Sequence, residues 1–176
     1  MPLRRRHLLG SALLLAGASL LPRPAGAAPG RTVFVLNGPN LDLLGQRQPE
    51  LYGHRTLADV EKLCRDAAAR LRLEIVFRHT NSEGQLVDWI HEARSGAAAI
   101  VINPAAYAHT SVAVMDALEA CDMPKFEVHI TNTFHRESFR HTDYVAQAAT
   151  GVVDGLGIQG YALALERVAQ LLEHKQ

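Results

Sequence analysis

From residue 32 onward, apolar positions alternate between two patterns, strand-like runs and helix-spaced stripes. Thr32-Val33-Phe34-Val35-Leu36-Asn37 is short, β-rich and almost wholly apolar, the pattern of a strand buried on both faces. Leu73 to His79, Ala97 to Asn103, Lys125 to Ile130 and Thr150 to Asp154 predict four more strands. Between them, Leu57, Val60, Leu63, Cys64, Ala67 and Leu71 recur at helical spacing behind Thr56, a residue able to cap a helix. Ser82 caps a helix carrying Leu86, Trp89 and Ile90, and Thr110 or Ser111 starts one through Val114, Ala117 and Leu118. Ile158 to Leu172 closes the chain as a helix.

Strands joined by single helices require right-handed crossovers, hence an α/β fold with a five-stranded parallel sheet covered by helices on both faces. Ligands of such sheets gather beyond the carboxyl ends of the strands. The segments there, 37–55, 103–111 and 129–142, hold most of the unusual polar residues.

The first 27 residues break the pattern. Arg4, Arg5 and Arg6 precede an apolar run, Leu8 to Ala18, and Ala25-Gly26-Ala27 offers a small-x-small cleavage site. That is the order of a secretory signal, and the run is too short and too rich in Ala and Gly for a membrane span. Arg5-Arg6-His7-Leu8-Leu9 also matches a twin-arginine pattern, with a plain Sec signal as the rival. The expectation is a cleavable export signal over 1–27, a single domain over 28–176, a periplasmic or otherwise exported location, and no stable membrane anchor after cleavage.

Composition sharpens this picture. The 176 residues carry 18 Lys+Arg against 18 Asp+Glu, a formal charge of zero, with 48% apolar and 20% charged residues. Disorder is excluded by the apolar content, and a binder that depends on a strongly basic nucleic-acid face by the charge. Four of the arginines lie in the leader, which holds no acid, so 14 basic residues face 18 acidic ones in the remainder, a formal −4. Cys64 and Cys121 are too few for a disulfide scaffold or a four-thiolate zinc site, and both read as buried free thiols.

The loop Gly38 to Arg55 exceeds an ordinary strand–helix connection and has the length of a lid. It carries Arg47 and Tyr52. A tyrosine is a poor base at its ordinary pKa near ~10, and a close guanidinium favours the tyrosinate. Asn103, just past the third strand, can hydrogen-bond a ligand, while Thr110 and Ser111 are explained by capping. Strand alternation puts Glu127 and His129 on one side of the sheet, where the carboxylate can orient the imidazole. His129, His135 and His141 recur every six residues, a spacing that fits no single helix or strand face, and no metal is expected. Gly155-Leu156-Gly157-Ile158-Gln159-Gly160 matches the dinucleotide pattern G-x-G-x-x-G. The chain ends before the acidic residue expected about ~20 positions on, so tight helix-on-sheet packing is the preferred explanation.

Read together, these loops resemble type II 3-dehydroquinate dehydratases over about residues 32–172. The likeness rests on Asn37-Gly38-Pro39-Asn40-Leu41, Arg47 to Gly53, Asp88-Trp89-Ile90-His91, Asn103-Pro104 and His109-Thr110-Ser111-Val112-Ala113. It continues in Glu127-Val128-His129, Arg136-Glu137, Phe139-Arg140 and Gly155-Leu156-Gly157 through Gly160-Tyr161. The resemblance implies a flavodoxin-like three-layer sandwich of strand order 2-1-3-4-5 and a homo-oligomer, a dodecamer of trimers. It implies a lyase that converts 3-dehydroquinate reversibly to 3-dehydroshikimate through an enolate, without cofactor, in the shikimate pathway of aromatic amino acid biosynthesis or in quinate catabolism. By position, Tyr52 would be the base, with Arg47 lowering its pKa. Asn40 would hold a water that stabilises the oxyanion, and His129 would be the acid, steered by Glu127. Asn103, His109 and Arg140 would bind the ring hydroxyls, the backbone of Ile130 and Thr131 the carboxylate, and Asp116 would reach a neighbouring subunit's site. The chain departs from the family at Met115, often arginine; at Thr131, often serine; at Ala105 and Ala106, often glycine; and in its export signal. The alternative is a flavodoxin-like nucleotide-binding module without dehydratase activity; a non-catalytic binder of cyclic acids is a further rival, disfavoured by the retention of Arg47, Tyr52 and His129.

Overall fold

The computed structural model describes residues 30–174; the proposed leader lies outside them. Five parallel strands form one sheet of order β2-β1-β3-β4-β5, the flavodoxin-like arrangement expected. They are β1 Thr32–Asn37, β2 Glu74–His79, β3 Ala99–Asn103, β4 Lys125–His129 and β5 Gly151–Asp154. The helices are α1 Pro49–Tyr52, α2 Leu57–Leu71, α3 Glu83–Arg94, α4 Val112–Glu119, α5 Tyr144–Ala148 and α6 Gln159–Glu173. The observed strands begin one or two residues later than expected at β2, β3 and β5, where the chain is still entering the sheet. None of the described helices is long and apolar enough to cross a membrane.

Side chains of β1 alternate between two cores. Val33 and Val35 join Val101, Val128 and Cys64 under α2 and α6, while Phe34 and Leu36 join Ile100, Ile102 and Ile90 under α3, α4 and α5. That alternation makes three layers out of continuous apolar strands. α2 opens with a full capping box, Thr56 accepting from the Asp59 N–H while the Asp59 carboxylate accepts from the Thr56 N–H. Ser82 and Ser111 cap α3 and α4 through the N–H groups of Gln85 and Val114, which settles the choice between Thr110 and Ser111.

Three connections carry the fold into the site. Gly38 N–H donates to the Asn103 carbonyl at 2.8 Å, tying the end of β1 to the end of β3. A Cβ on Gly38 would stand 2.4 Å from the Pro104 carbonyl oxygen, so only glycine allows that approach. Behind it, the buried Tyr161 hydroxyl donates to Asn37 Oδ1 at 2.8 Å and accepts from Asn103 Nδ2 at 2.9 Å. This bridge locks α6 to the carboxyl ends of the two central strands. Both cysteines are free and buried, as expected.

Candidate active site

Beyond the carboxyl ends of β1, β3 and β4 lies a cleft of about 180 Å³, open to solvent on one side. Asn40, Arg47, Tyr52, Asn103, His109, His129, Ile130, Thr131 and Arg140, all singled out in the sequence, line it together with Arg136. Glu127 sits behind His129, fully buried. Asp116 is exposed on α4 and does not line this cleft.

One wall comes from the long loop, which is more ordered than its punctuation suggests. Leu41–Leu43 makes a 3-10 turn and Pro49–Tyr52 the short helix α1. Leu41 and Leu44 anchor it in the core. Asn40 takes a left-handed backbone, φ 65°, and its N–H donates to Asn81 Oδ1 at 2.7 Å. The Arg47 guanidinium lies over the Tyr52 ring, 4.6 Å from its centroid, and Arg47 Nε is buried without a partner. Arg136 also reaches the phenol, Nη1 donating to the Tyr52 hydroxyl and to Thr131 Oγ1, each at 3.2 Å. Burial alone would raise the Tyr52 pKa; the Arg136 hydrogen bond and the charges of Arg47 and Arg136 outweigh it and bring the phenol below its usual 10. Arg136 figured in the sequence only as part of a motif, and its contact with Tyr52, 84 residues away, is made by tertiary folding alone.

The opposite wall holds two histidines. His129 and His109 stack with centroids 6.1 Å apart and ring planes within 13°. His129 Nε2 lies 2.9 Å from Glu127 Oε1 and 3.3 Å from Asp143 Oδ2. Burial by itself would lower the His129 pKa, but the hydrogen bonds to Asp143 and Glu127 and their charges prevail and hold the imidazolium up to about 9. Burial pushes Glu127 up to about 7 against the pull of its histidine. His109 moves the other way, lowered by burial, with its Nδ1 donating to the Thr142 carbonyl at 2.9 Å. The two stacked rings thus divide the charge, one cationic and one neutral. Asp143 carried no signal in the sequence, because it lies in an irregular stretch with no period to mark it.

Asn103 is more committed than its residue type suggested. Besides the Tyr161 bridge, its Oδ1 accepts from the Ala105 N–H at 3.1 Å, which leaves one amide hydrogen for a ligand. Ala105 has φ 52°, a left-handed backbone that costs a residue with a Cβ roughly 1 kcal/mol. Arg140 lines the cleft with its Nε engaged by Glu137 at 2.7 Å.

The glycine-rich turn is structural. A Cβ on Gly160 would meet Val128 and Val153 at 3.0 and 3.2 Å, so the glycine lets α6 lie against the sheet. Gly155 and Gly157 donate their N–H groups to the carbonyls of His129 and Ile130 at 3.1 and 3.0 Å. Donors already spent on the end of β4 are not a phosphate cradle. Among the described residues, Glu127, His129 and Asp143 form a set of potential metal donors within 4.8 Å of one another. Charge-assisted hydrogen bonding between the imidazole and the carboxylates accounts for that spacing. His135 and His141, the partners in the six-residue repeat, are not in it.

The cleft thus holds a phenol contacted by two guanidiniums and an imidazolium backed by two carboxylates. One is suited to accept a proton and the other to donate one across a small ligand. Over residues 31–169 the chain matches the family described as Dehydroquinase class II. A 3-dehydroquinate dehydratase of Streptomyces coelicolor is 59% identical over 152 residues, covering 86% of this chain and 95% of that protein. One of Streptomyces avermitilis is 62% identical over 142 residues, covering 80% and 89%. The crystal structure of a type II dehydroquinase from Propionibacterium acnes superimposes with a TM-score of 0.78 at 40% identity, covering 83% of this chain and 99% of that one. Agreement in sequence, sheet order and extent leaves one assignment, and the chain belongs to the class II dehydroquinase family.

Proposed function

We propose that this chain is a hydro-lyase that reversibly removes water from 3-dehydroquinate to give 3-dehydroshikimate. The observation that carries the reading is that one cleft holds both Tyr52, contacted by Arg47 and Arg136, and His129, held by Glu127 and Asp143. The Tyr52 phenolate takes a proton from the carbon next to the ketone, and the C–H electron pair moves into an enolate. A water held by Asn40 donates to the developing oxyanion. The enolate then re-forms the ketone as the C–O bond breaks, and His129 delivers its proton so that the hydroxyl leaves as water. One C–H and one C–O bond are lost, one C=C is gained, and Tyr52 returns the substrate's proton to His129 through solvent. Asn103, His109 and Arg140 hold the ring hydroxyls, and the backbone after β4, at Ile130 and Thr131, receives the carboxylate. Arg47 and Tyr52 ride on the loop that covers the cleft and excludes water.

The test is direct. Purified protein mixed with 3-dehydroquinate is expected to raise the absorbance of the conjugated enone; no rise at any pH between 6 and 10 refutes the reading.

Three wider readings go with this one. The basic and apolar leader, lying before residue 31 where the family match begins, supports export to the periplasm by a signal over 1–27. Residues 1–27 fused to a reporter are expected to deliver it there. Export favours catabolism of external quinate over aromatic biosynthesis; deleting the gene should abolish growth on quinate, and aromatic auxotrophy with unchanged growth on quinate overturns that. The exposed Phe134, Phe139 and Val112, and an acid at Asp116 outside its own cleft, support a homo-oligomer, read as a dodecamer of trimers. Light scattering is expected to return twelve times the protomer mass.

A further inference from the structure

We infer that Asp143 is a positioning residue for His129: it holds the imidazole in place and keeps it charged, a role that rests on reading His129 as the acid. Its two carboxylate oxygens do different work. Oδ1 accepts from the Ala146 N–H at 2.9 Å and caps α5, while Oδ2 lies 3.3 Å from His129 Nε2. The helix cap presets the carboxylate, so the oxygen facing the imidazole needs no further ordering. His129 Nε2 is thereby hydrogen-bonded to Glu127 Oε1 with the Asp143 carboxylate 3.3 Å away beside it. The other ring nitrogen, Nδ1, has no protein partner among the described residues, and the ring lines the cleft. Anchoring on Nε2 thus presents Nδ1 to a ligand.

Glu127 cannot do this alone. It is fully enclosed, its Oε2 is buried without a hydrogen bond, and burial works against its charge near neutrality. Asp143 has a side chain 19% exposed and keeps contact with water. The charges around His129 make the need plain. Stacked on it is His109, from the 105–109 turn; Arg140, from the 138–141 turn, and Arg47 and Arg136, which contact Tyr52, line the same cleft. Positive charge in a cleft disfavours a further cation, and Glu127 from β4 and Asp143 from the start of α5 are the groups that favour the His129 imidazolium. The adjacent Thr142 carbonyl meanwhile accepts from His109 Nδ1, so one dipeptide fixes both histidines.

Asp143→Asn isolates the charge, because asparagine caps a helix as well as aspartate does. In the full-length protein with labelled histidine, NMR should show the His129 titration midpoint lowered by about one pH unit. The alkaline limb of kcat should move down with it, while KM changes less than about threefold and Tm stays within a few degrees. Asp143→Ala should give the same His129 midpoint with a lower Tm, since it loses the cap as well. An unchanged His129 midpoint in Asp143→Asn overturns the assignment. If the wild-type protein forms no enone, the dehydratase reading fails, and the imidazole titration still decides the role of Asp143.

Discussion

Tyr52 and His129 are shifted in opposite directions for opposite reasons. Two guanidiniums converging on Tyr52 bring its phenol below the usual 10, and two carboxylates hold the His129 imidazolium up to about 9. Removing the phenol in Tyr52→Phe should cost at least about 100-fold in turnover, the usual scale for losing general-base catalysis, while product still binds. Arg136→Gln should return the phenol toward its usual range. The acid limb of the pH–rate profile should then move to higher pH, with kcat at neutral pH falling at least about tenfold for a pKa rise of one unit. A profile unmoved by that substitution assigns the lowering to Arg47 alone. The sequence pointed to Tyr52, Arg47 and His129, because each residue type narrows the chemistry it can do. Arg136 and Asp143 act through contacts across folded segments, and no local pattern records those.

At the scale of elements, the site depends on how closely β1, β3 and α6 approach one another at their ligand-facing ends. Gly38 is the tightest contact, with a carbonyl where a Cβ would be. Gly38→Ala should lower stability by about 1–3 kcal/mol, the range for overpacking, and raise KM because the loop that carries Asn40 is displaced. Urea denaturation alongside kinetics measures both. The opposite experiment is at the 105–109 turn: Ala105→Gly should stabilise by up to about 1 kcal/mol, relieving the φ of 52°. Periodicity revealed the five strands and the four longer helices, α2, α3, α4 and α6, nearly to the residue, since buried parallel strands and amphipathic helices are set by local patterning. It missed α5, whose five residues are too few to show a period. It could not reveal the turns inside 38–55, where one 3-10 turn and one short helix are held by contacts made elsewhere.

For the whole molecule, the buried ion pairs couple the site to stability. His129 has a folded pKa near 9 against an ordinary 6.5, so the fold holds its proton where the unfolded chain has lost it. The stabilisation from this group is complete below about pH 6.5 and disappears as pH rises through about 9. Glu127, raised to about 7, has the same sign over a lower window, while the lowered His109 opposes them only below its ordinary value. Tyr52, lowered from its usual 10, works against them at alkaline pH. The decline between about pH 7 and 9 is therefore expected in a Tyr52→Phe background, measurable as a falling urea midpoint; a rise there would contradict the charged pair. Charge has a second consequence at this scale. Residues 28–176 carry a formal −4, so an anionic substrate is drawn in by Arg140, Arg136 and the backbone after β4 rather than by the field of the whole protein.

The amino-acid sequence by itself determined the layered α/β architecture, the loops that meet ligand, and the family, because burial patterns and loop chemistry are local properties of the chain. Tertiary structure decided how those loops meet. It placed Arg136 against Tyr52 and Asp143 against His129, occupied most of Asn103 with Tyr161 and Ala105, and used the glycine turn to seat α6 on the sheet. Each of these depends on distances between segments far apart in the chain, and such distances exist only once the sheet has assembled.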